Sequence, residues 1–294
     1  MSDGIRYRVV HETRYRYSST VTGARQLAHL EPRATAWQEV HSHRIDILPE
    51  PVERSAGEDY FGNAVLRFTV TEPHDELLVR AESVVTVRDS LGPLARALPP
   101  WEAALASPDA IGKPIDIDVE QYRVASGMAP VLDVAADYAR ASFAPRRNWL
   151  RAMMDLTQRI HEDFTYDATS TTVTTGVAQV FEQRRGVCQD FAHLMLSCLR
   201  SLGLPARYVS GYVLNRVPPG RRRLAGADAS HAWVAAFCPG HGWIAFDPTN
   251  AKLAEIEFVT LGWGRDFSDV TPLRGVVLGA ARQELLVAVS VQPI

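Results

Sequence analysis

The spacing of the apolar residues changes twice along this chain, and that order limits the fold more than any other feature. From about Ile5 to Val87 the pattern alternates: Tyr7, Val9, His11, Thr13, Tyr15 and Tyr17 share one side of a strand. Asp59-Tyr-Phe-Gly-Asn63 reads as a turn, because Gly and Asn tolerate positive φ, with Ala64–Val70 and Leu77–Val87 as strands beyond it. The middle of the chain takes a helical spacing. Val131, Val134, Ala135 and Tyr138 are expected on one helix face, and Trp149, Met153, Leu156 and Ile160 on another. Strand patterns return at Leu204–Leu214, Ser230–Phe237 and Trp243–Asp247, with Glu284–Val291 as a last strand. Strands, helices, then strands predict an α+β fold rather than a doubly wound parallel sheet.

The same reading divides the chain into an antiparallel β module (1–90), an irregular connection (91–125), a mixed core (126–270) and a carboxy-terminal strand segment (271–294). Pro99, Pro100, Pro108 and Pro114 break the connection, and the polar run Thr169–Thr175 reads as a loop or a short extended piece. No internal repeat is visible. The 46% hydrophobic content is ample for a large core.

Charge removes several function classes. Lys and Arg number 31 against 34 Asp and Glu, without the basic excess of a nucleic-acid binder. Arg221-Arg-Arg223, set among Pro218, Pro219, Gly220 and Gly226, reads as a solvated loop. The opening MSDGIRYRVV carries charge where an export signal needs an apolar run, and no stretch reaches membrane-span length. The expectation is a cytoplasmic protein with neither nucleic acid nor membrane as partner. Its three cysteines, Cys188, Cys198 and Cys238, suit free thiols rather than a disulfide framework.

Gly186-Val-Cys-Gln-Asp-Phe-Ala-His193 is the most informative stretch. After Cys188, Phe191, Leu194, Met195, Cys198, Leu199 and Leu202 recur at helical spacing, and Gly203-Leu204-Pro205 stops the helix. Cys188 therefore falls in the first turn, where unpaired N–H groups and the helix dipole favour a thiolate, the reactive form of cysteine. Cys198 fits a small buried apolar residue and Cys238, before Pro239-Gly240, a turn. Asp190 reads as a helix-start carboxylate with a capping role.

A base and its partner lie downstream. His231, Trp233, Ala235 and Phe237 share one strand face, and Trp243, Ala245 and Asp247 share another. If Cys238-Pro-Gly240 forms a three-residue hairpin loop, Phe237 faces His241, and His231 then falls directly opposite Asp247. A carboxylate there would fix the imidazole tautomer and leave the second ring nitrogen for Cys188. Taken singly, His231 could be a strand-edge residue and Asp247-Pro248 a turn. Their register, downstream of a helix-start cysteine, favours a catalytic set of Cys188, His231 and Asp247.

Gly186-Val-Cys188 with Asp190 and Ala192, His231-Ala-Trp233 and Asp247-Pro248, three blocks in this order, resemble the transglutaminase-like superfamily of papain-type cysteine enzymes. That core resemblance spans roughly Trp149 to Asn250. His11, Thr13, Tyr15, Tyr17, Leu30-Glu-Pro-Arg33 and Asp59–Asn63 resemble the amino-terminal β module of its bacterial members, and Arg265–Pro272 resembles their tail. The resemblance implies a nucleophile helix packed on an antiparallel sheet, with thiolate attack by Cys188, base catalysis by His231 and orientation by Asp247. It also implies an oxyanion hole made by the nucleophile's own N–H and an upstream donor. Tyr166 is the candidate donor, against the alternative of a buried core tyrosine.

No cofactor is implied. Cys238-Pro-Gly-His241 and His161-Glu162 lack the paired clusters of a zinc site, so no metal is expected. The expected partner is a peptide or protein substrate; oligomeric state stays open. The leading expectation is hydrolysis of an amide or peptide bond through a thioester, because one small β module accompanies the core, unlike the several sandwich domains of animal cross-linking members it resembles. Acyl transfer from glutamine to an amine and a non-enzymatic binding scaffold are the alternatives. Val217–Asp228, just ahead of His231, is expected to wall one side of the cleft.

Overall fold

Alternation of buried and open side chains over seventeen residues makes β1 (Ile5–Val21) the spine of the first half of the molecule. The computed structural model describes residues 4–89, 98–105, 116–169, 175–214, 230–279 and 282–294. After β1 come β2 (Gly23–Ala28), β3 (Gln38–Leu48), β4 (Glu53–Glu58), β5 (Ala64–Val70) and β6 (His74–Val87), all paired antiparallel. The Asp59–Asn63 turn closes as expected, with Asp59 Oδ1 accepting from the N–H groups of Phe61 and Asn63 at 2.8 Å each. Phe68, Val70, Leu77, Val79 and Ile47 fill the space between the two sheets so formed.

A short 3-10 turn at Trp101–Leu105 and α1 (Ile117–Glu120) lead into the helical part. There α2 (Asp133–Arg140) and α3 (Trp149–Asp163) are followed by β7 (Thr165–Tyr166), α4 (Val177–Gln183), β8 (Arg185–Gly186) and α5 (Cys188–Ser201). Helix α3 buries Trp149, Met153, Leu156 and Ile160, the face its spacing predicts. Helix α2 does so only in part: Ala135 is buried, with Ala136 and Ala139, and Tyr138 packs against the core, while Val131 and Val134 are exposed. The small alanines let the helix backbone lie close to α5, and the larger valines are turned outward.

The chain then forms a five-stranded antiparallel sheet from β9 (Ala206–Val213), β10 (Ser230–Cys238), β11 (Gly242–Asp247), β12 (Lys252–Leu253) and β13 (Phe258–Gly264), in the order β12-β11-β10-β9-β13. Ala232, Val234, Ala236 and Phe246 pack under α5, so the helix that begins at Cys188 rests on one face of this sheet. Cys238 is the last residue of β10 and fully buried, not a turn residue. The segments 170–174 and 215–229, with the Arg221–Arg223 cluster and the expected cleft wall, lie outside the described residues.

The last strands return to the first half. Strand β14 (Leu273–Leu278) pairs with β2, and β15 (Gln283–Pro293) pairs with β1, giving sheet orders β15-β1-β6-β3 and β14-β2-β5-β4. Two side-chain amides join the halves along β13, an edge strand. Gln38 donates to Thr260 O at 2.7 Å and accepts from Thr260 N–H at 2.8 Å; Asn63 does the same for Trp263, at 2.8 and 2.9 Å. Each amide stands in for a neighbouring strand and closes an edge that would otherwise stay open. No helix among the described residues is long and apolar enough to cross a membrane.

Candidate active site

Helix α5 begins at Cys188. Phe191 N–H makes the first helical bond to Val187 O at 3.0 Å, while Asp190 Oδ2 accepts from Val187 N–H at 2.8 Å. Asp190 thus ties down the helix start, its expected role. Gly186 is required there, since a Cβ on it would lie 2.8 Å from Asp190 Cβ. At the other end, Leu204 N–H bonds Leu199 O and Gly203 N–H bonds Arg200 O, the Schellman pattern that Gly-Leu-Pro predicts. Cys188 is partly exposed, whereas Cys198 and Cys238 are buried.

His231 lies near the start of β10 and Asp247 at the end of β11. The hairpin between them is set differently from the expected one. Phe237 faces Trp243 and Cys238 faces Gly242, with Pro239, Gly240 and His241 as the loop and positive φ at both Gly240 and Gly242. The register is therefore displaced by two residues, and His231 is diagonal to Asp247 rather than opposite it. A two-residue displacement keeps every side chain on its own face. Diagonal neighbours remain within reach of long side chains, and His231 Nε2 donates to Asp247 Oδ2 at 2.8 Å.

The remaining acceptor capacity of Asp247 is filled by its own loop. Oδ1 accepts from Thr249 N–H at 2.9 Å and Asn250 N–H at 3.3 Å, and Oδ2 also accepts from the Asn250 amide at 2.6 Å. The carboxylate is fully buried, and although burial opposes its charge, His231 and Asn250 hold it below the ordinary carboxylate range. On the imidazole, burial also works against charge, but bonds to Asp247 and to Cys188 prevail and raise it from 6.5 to about 10. With Nε2 committed to Asp247, Nδ1 is the nitrogen left for the sulfur. Trp233 stacks on the ring at 6.2 Å and Phe258 tilts against it at the same distance, which fixes its plane.

Tyr166 is brought beside this group by a short parallel ladder in which it faces Gly186. It is exposed, not a buried core tyrosine; its ring meets Phe191 edge-on at 6.5 Å. Burial and the neighbouring Cys188 charge both raise its phenol. Sequence reasoning passed over Asn250 and the ring contacts of Trp233 and Phe258. Asp247-Pro-Thr-Asn250 carries a signal for the first, since an Asp accepting from N–H groups two and three residues on is an Asx turn. Among the described residues no three His, Cys, Asp or Glu side chains converge to hold a metal, and His161 Nδ1 is engaged with Thr249 O at 2.8 Å.

Residues 7–86 match the bacterial transglutaminase-like N-terminal region, and residues 136–248 match the transglutaminase-like superfamily. An uncharacterised protein of Mycobacterium tuberculosis is 40% identical over 296 aligned residues, covering 98% of this chain and 93% of its own. A protein-glutamine gamma-glutamyltransferase of Pseudomonas aeruginosa is 36% identical over 120 residues, 39% of this chain but 17% of its own length. In structure, a Cytophaga hutchinsonii protein bearing the provisional designation cysteine protease superposes over 100% of this chain and 92% of its own, with a TM-score of 0.77 and 19% identity. At that identity the likeness is one of fold.

Proposed function

Because the chain belongs to the transglutaminase-like superfamily, we propose that it is a cysteine-nucleophile hydrolase of amide or peptide bonds, with Cys188, His231 and Asp247 as its catalytic residues. The observation that carries this reading is the imidazole of His231, held at 2.8 Å by a buried carboxylate on one nitrogen and bonded to the Cys188 sulfur. In this reading the Cys188 sulfur attacks the carbonyl carbon as a thiolate, with His231 already carrying the proton beside it. The negative oxygen of the tetrahedral intermediate is met by the Cys188 N–H at the helix start, with Tyr166 as second donor. His231 then returns the proton to the departing amine, leaving a thioester on Cys188. Water, deprotonated by His231, opens the thioester and frees the acid. Asp247 stays ionised throughout, keeping the ring oriented and favouring its charged form. The three free cysteines suit work in a reducing compartment, such as the cytoplasm.

A second reading has a specific observation behind it: the likeness to the gamma-glutamyltransferase of Pseudomonas aeruginosa. A thioester on Cys188 is open to a primary amine as well as to water, and transfer from glutamine to that amine would follow the same first half-reaction. Intact-mass analysis of glutamine-containing peptides, with and without rising primary amine, separates the two. Cleavage or deamidation with little amine incorporation is the expected result. Dominant amine adducts at modest amine concentration would replace hydrolysis with acyl transfer, and no turnover of any peptide, ester or amide probe would favour a binding scaffold.

A further inference from the structure

The face of the core sheet turned away from α5 carries a buried cation that the chemistry above does not use. Arg207, on β9, is only 6% exposed. Its guanidinium lies 4.4 Å from the ring centre of Trp243 and 3.7 Å from that of Trp263. Arg33 lies over the same Trp263 indole, also at 3.7 Å, so a second positive charge is close by. No described carboxylate forms an ion pair with Arg207, and its Nε has no hydrogen-bond acceptor. Arg207 borders a narrow cleft with about 30 Å³ of room inside, and Trp37, Trp233 and Phe258 are among its walls. Glu255 also borders the cleft without bonding to Arg207.

These features are hard to reconcile with a purely structural arginine. A buried ion costs several kcal/mol unless it is paired, and a buried donor without an acceptor adds to that. The indoles offset part of the cost through their faces. Contact with an aromatic face, however, leaves the in-plane N–H edge of a guanidinium free. That edge is the part which binds carboxylates and other anions. Burial lowers Arg207 to about 9, so it is still charged at neutral pH. The cleft admits a small head group only.

We propose that this cleft is a binding site for a small monoanion, chloride or a carboxylate head group, seated on the Nε edge of Arg207 between Trp243 and Trp263. The anion supplies the missing acceptor and offsets one of the two positive charges of Arg207 and Arg33. The cleft shares Trp233 and Phe258 with the His231 ring but is lined by none of Cys188, His231 and Asp247, and the proposal does not depend on the hydrolytic reading. Its occupancy is read by titrating sodium chloride and, separately, sodium acetate into the intact protein at low ionic strength while following thermal unfolding. The expected result is a saturable rise in Tm of about 2–4 °C in the unaltered protein and none in Arg207→Met, in which general salt effects persist. The salt that saturates at the lower concentration identifies the ligand. Equal responses in the two proteins would overturn the proposal. If Arg207→Met does not fold, crystals of the unaltered protein soaked in bromide or in acetate give the answer. An anomalous bromine peak at Arg207 in the first soak, or carboxylate-shaped difference density there in the second, supports the site, and the absence of both removes it.

Discussion

His231 and Asp247 sit diagonally across the β10–β11 hairpin, with their side chains meeting at 2.8 Å. The two strands are bridged at this end by the imidazole–carboxylate bond, and Trp233 and Phe258 hold the ring that makes it. Replacing Asp247 with Asn keeps the shape and removes the charge that orders the tautomer. The expected loss in kcat is about three to four orders of magnitude, with little change in KM or in the circular dichroism spectrum. Cys188→Ala and His231→Ala should abolish turnover while leaving the fold intact. Substantial activity in His231→Ala would remove the proposed base, and the mechanism with it.

The imidazole should also leave its mark on stability. A folded-state value near 10, against 6.5 when free, means that charged His231 contributes stability that is fully present below pH 6.5 and is lost as the pH rises through about 10. Asp247, held below its ordinary value, acts in the opposite window: its contribution is present above 3.8 and is lost as acid brings the pH down through its folded value. The stability gap between the unaltered protein and His231→Gln should therefore narrow with rising pH, by up to about 1.4 kcal/mol per pH unit. Urea denaturation of both proteins at pH 6, 8 and 10 measures it. A gap that stays constant would mean that His231 is not charged at neutral pH.

Thiol labelling separates the three cysteines by burial. Cys198 and Cys238 are both fully buried; burial raises the Cys238 thiol to about 11 and that of Cys198 further still. Cys188 is partly open and bonded to His231. Iodoacetamide at neutral pH should modify Cys188 at least about tenfold faster than either of the others, because the thiolate is the reacting form. Peptide mapping after partial alkylation reads the order, and prior labelling of Cys198 or Cys238 would count against Cys188 as the nucleophile.

Helix α5 was fully legible in the sequence because its signals are local: a glycine before the start, an acidic first turn, apolar residues at helical spacing, then Gly203-Leu204-Pro205. The meeting of His231 and Asp247 was legible for a weaker reason. The expected pairing of Phe237 with His241 was displaced by two residues, but alternation along a strand has a period of two, so the faces survived the error. A displacement by one would have separated them. Helix α2 is legible only in part: Ala135 is buried and Tyr138 packs against the core as expected, but Val131 and Val134 are exposed, because close helix packing selects the alanines over the more apolar valines. Pairing of β15 with β1 joins residues more than 260 positions apart, and no local pattern encodes that. The amide contacts of Gln38 and Asn63 are equally non-local.

Those amides give the last prediction. Gln38 and Asn63 are each 1% exposed, and each satisfies both backbone groups of one β13 residue: Thr260 for Gln38, Trp263 for Asn63. Asn63 Oδ1 also accepts from Arg33 at 2.8 Å, so its loss would loosen the guanidinium that lies over Trp263. Truncation to alanine leaves buried N–H and C=O groups without partners where water cannot easily replace them. Gln38→Ala or Asn63→Ala should therefore cost about 1–3 kcal/mol for each group orphaned. The two side chains bond to one edge strand and share Arg33 as a neighbour, so the combined effect of the substitutions should differ from the sum of the single ones. Urea unfolding of the two variants and the double variant measures both terms. Hydrogen exchange at the Thr260 and Trp263 amides tests the cause, since the lost partners should speed exchange there before they affect the centre of β10. Unchanged stability in both single variants would mean that the edge of β13 is supported in another way, and that the two amides are not what joins the halves of the molecule.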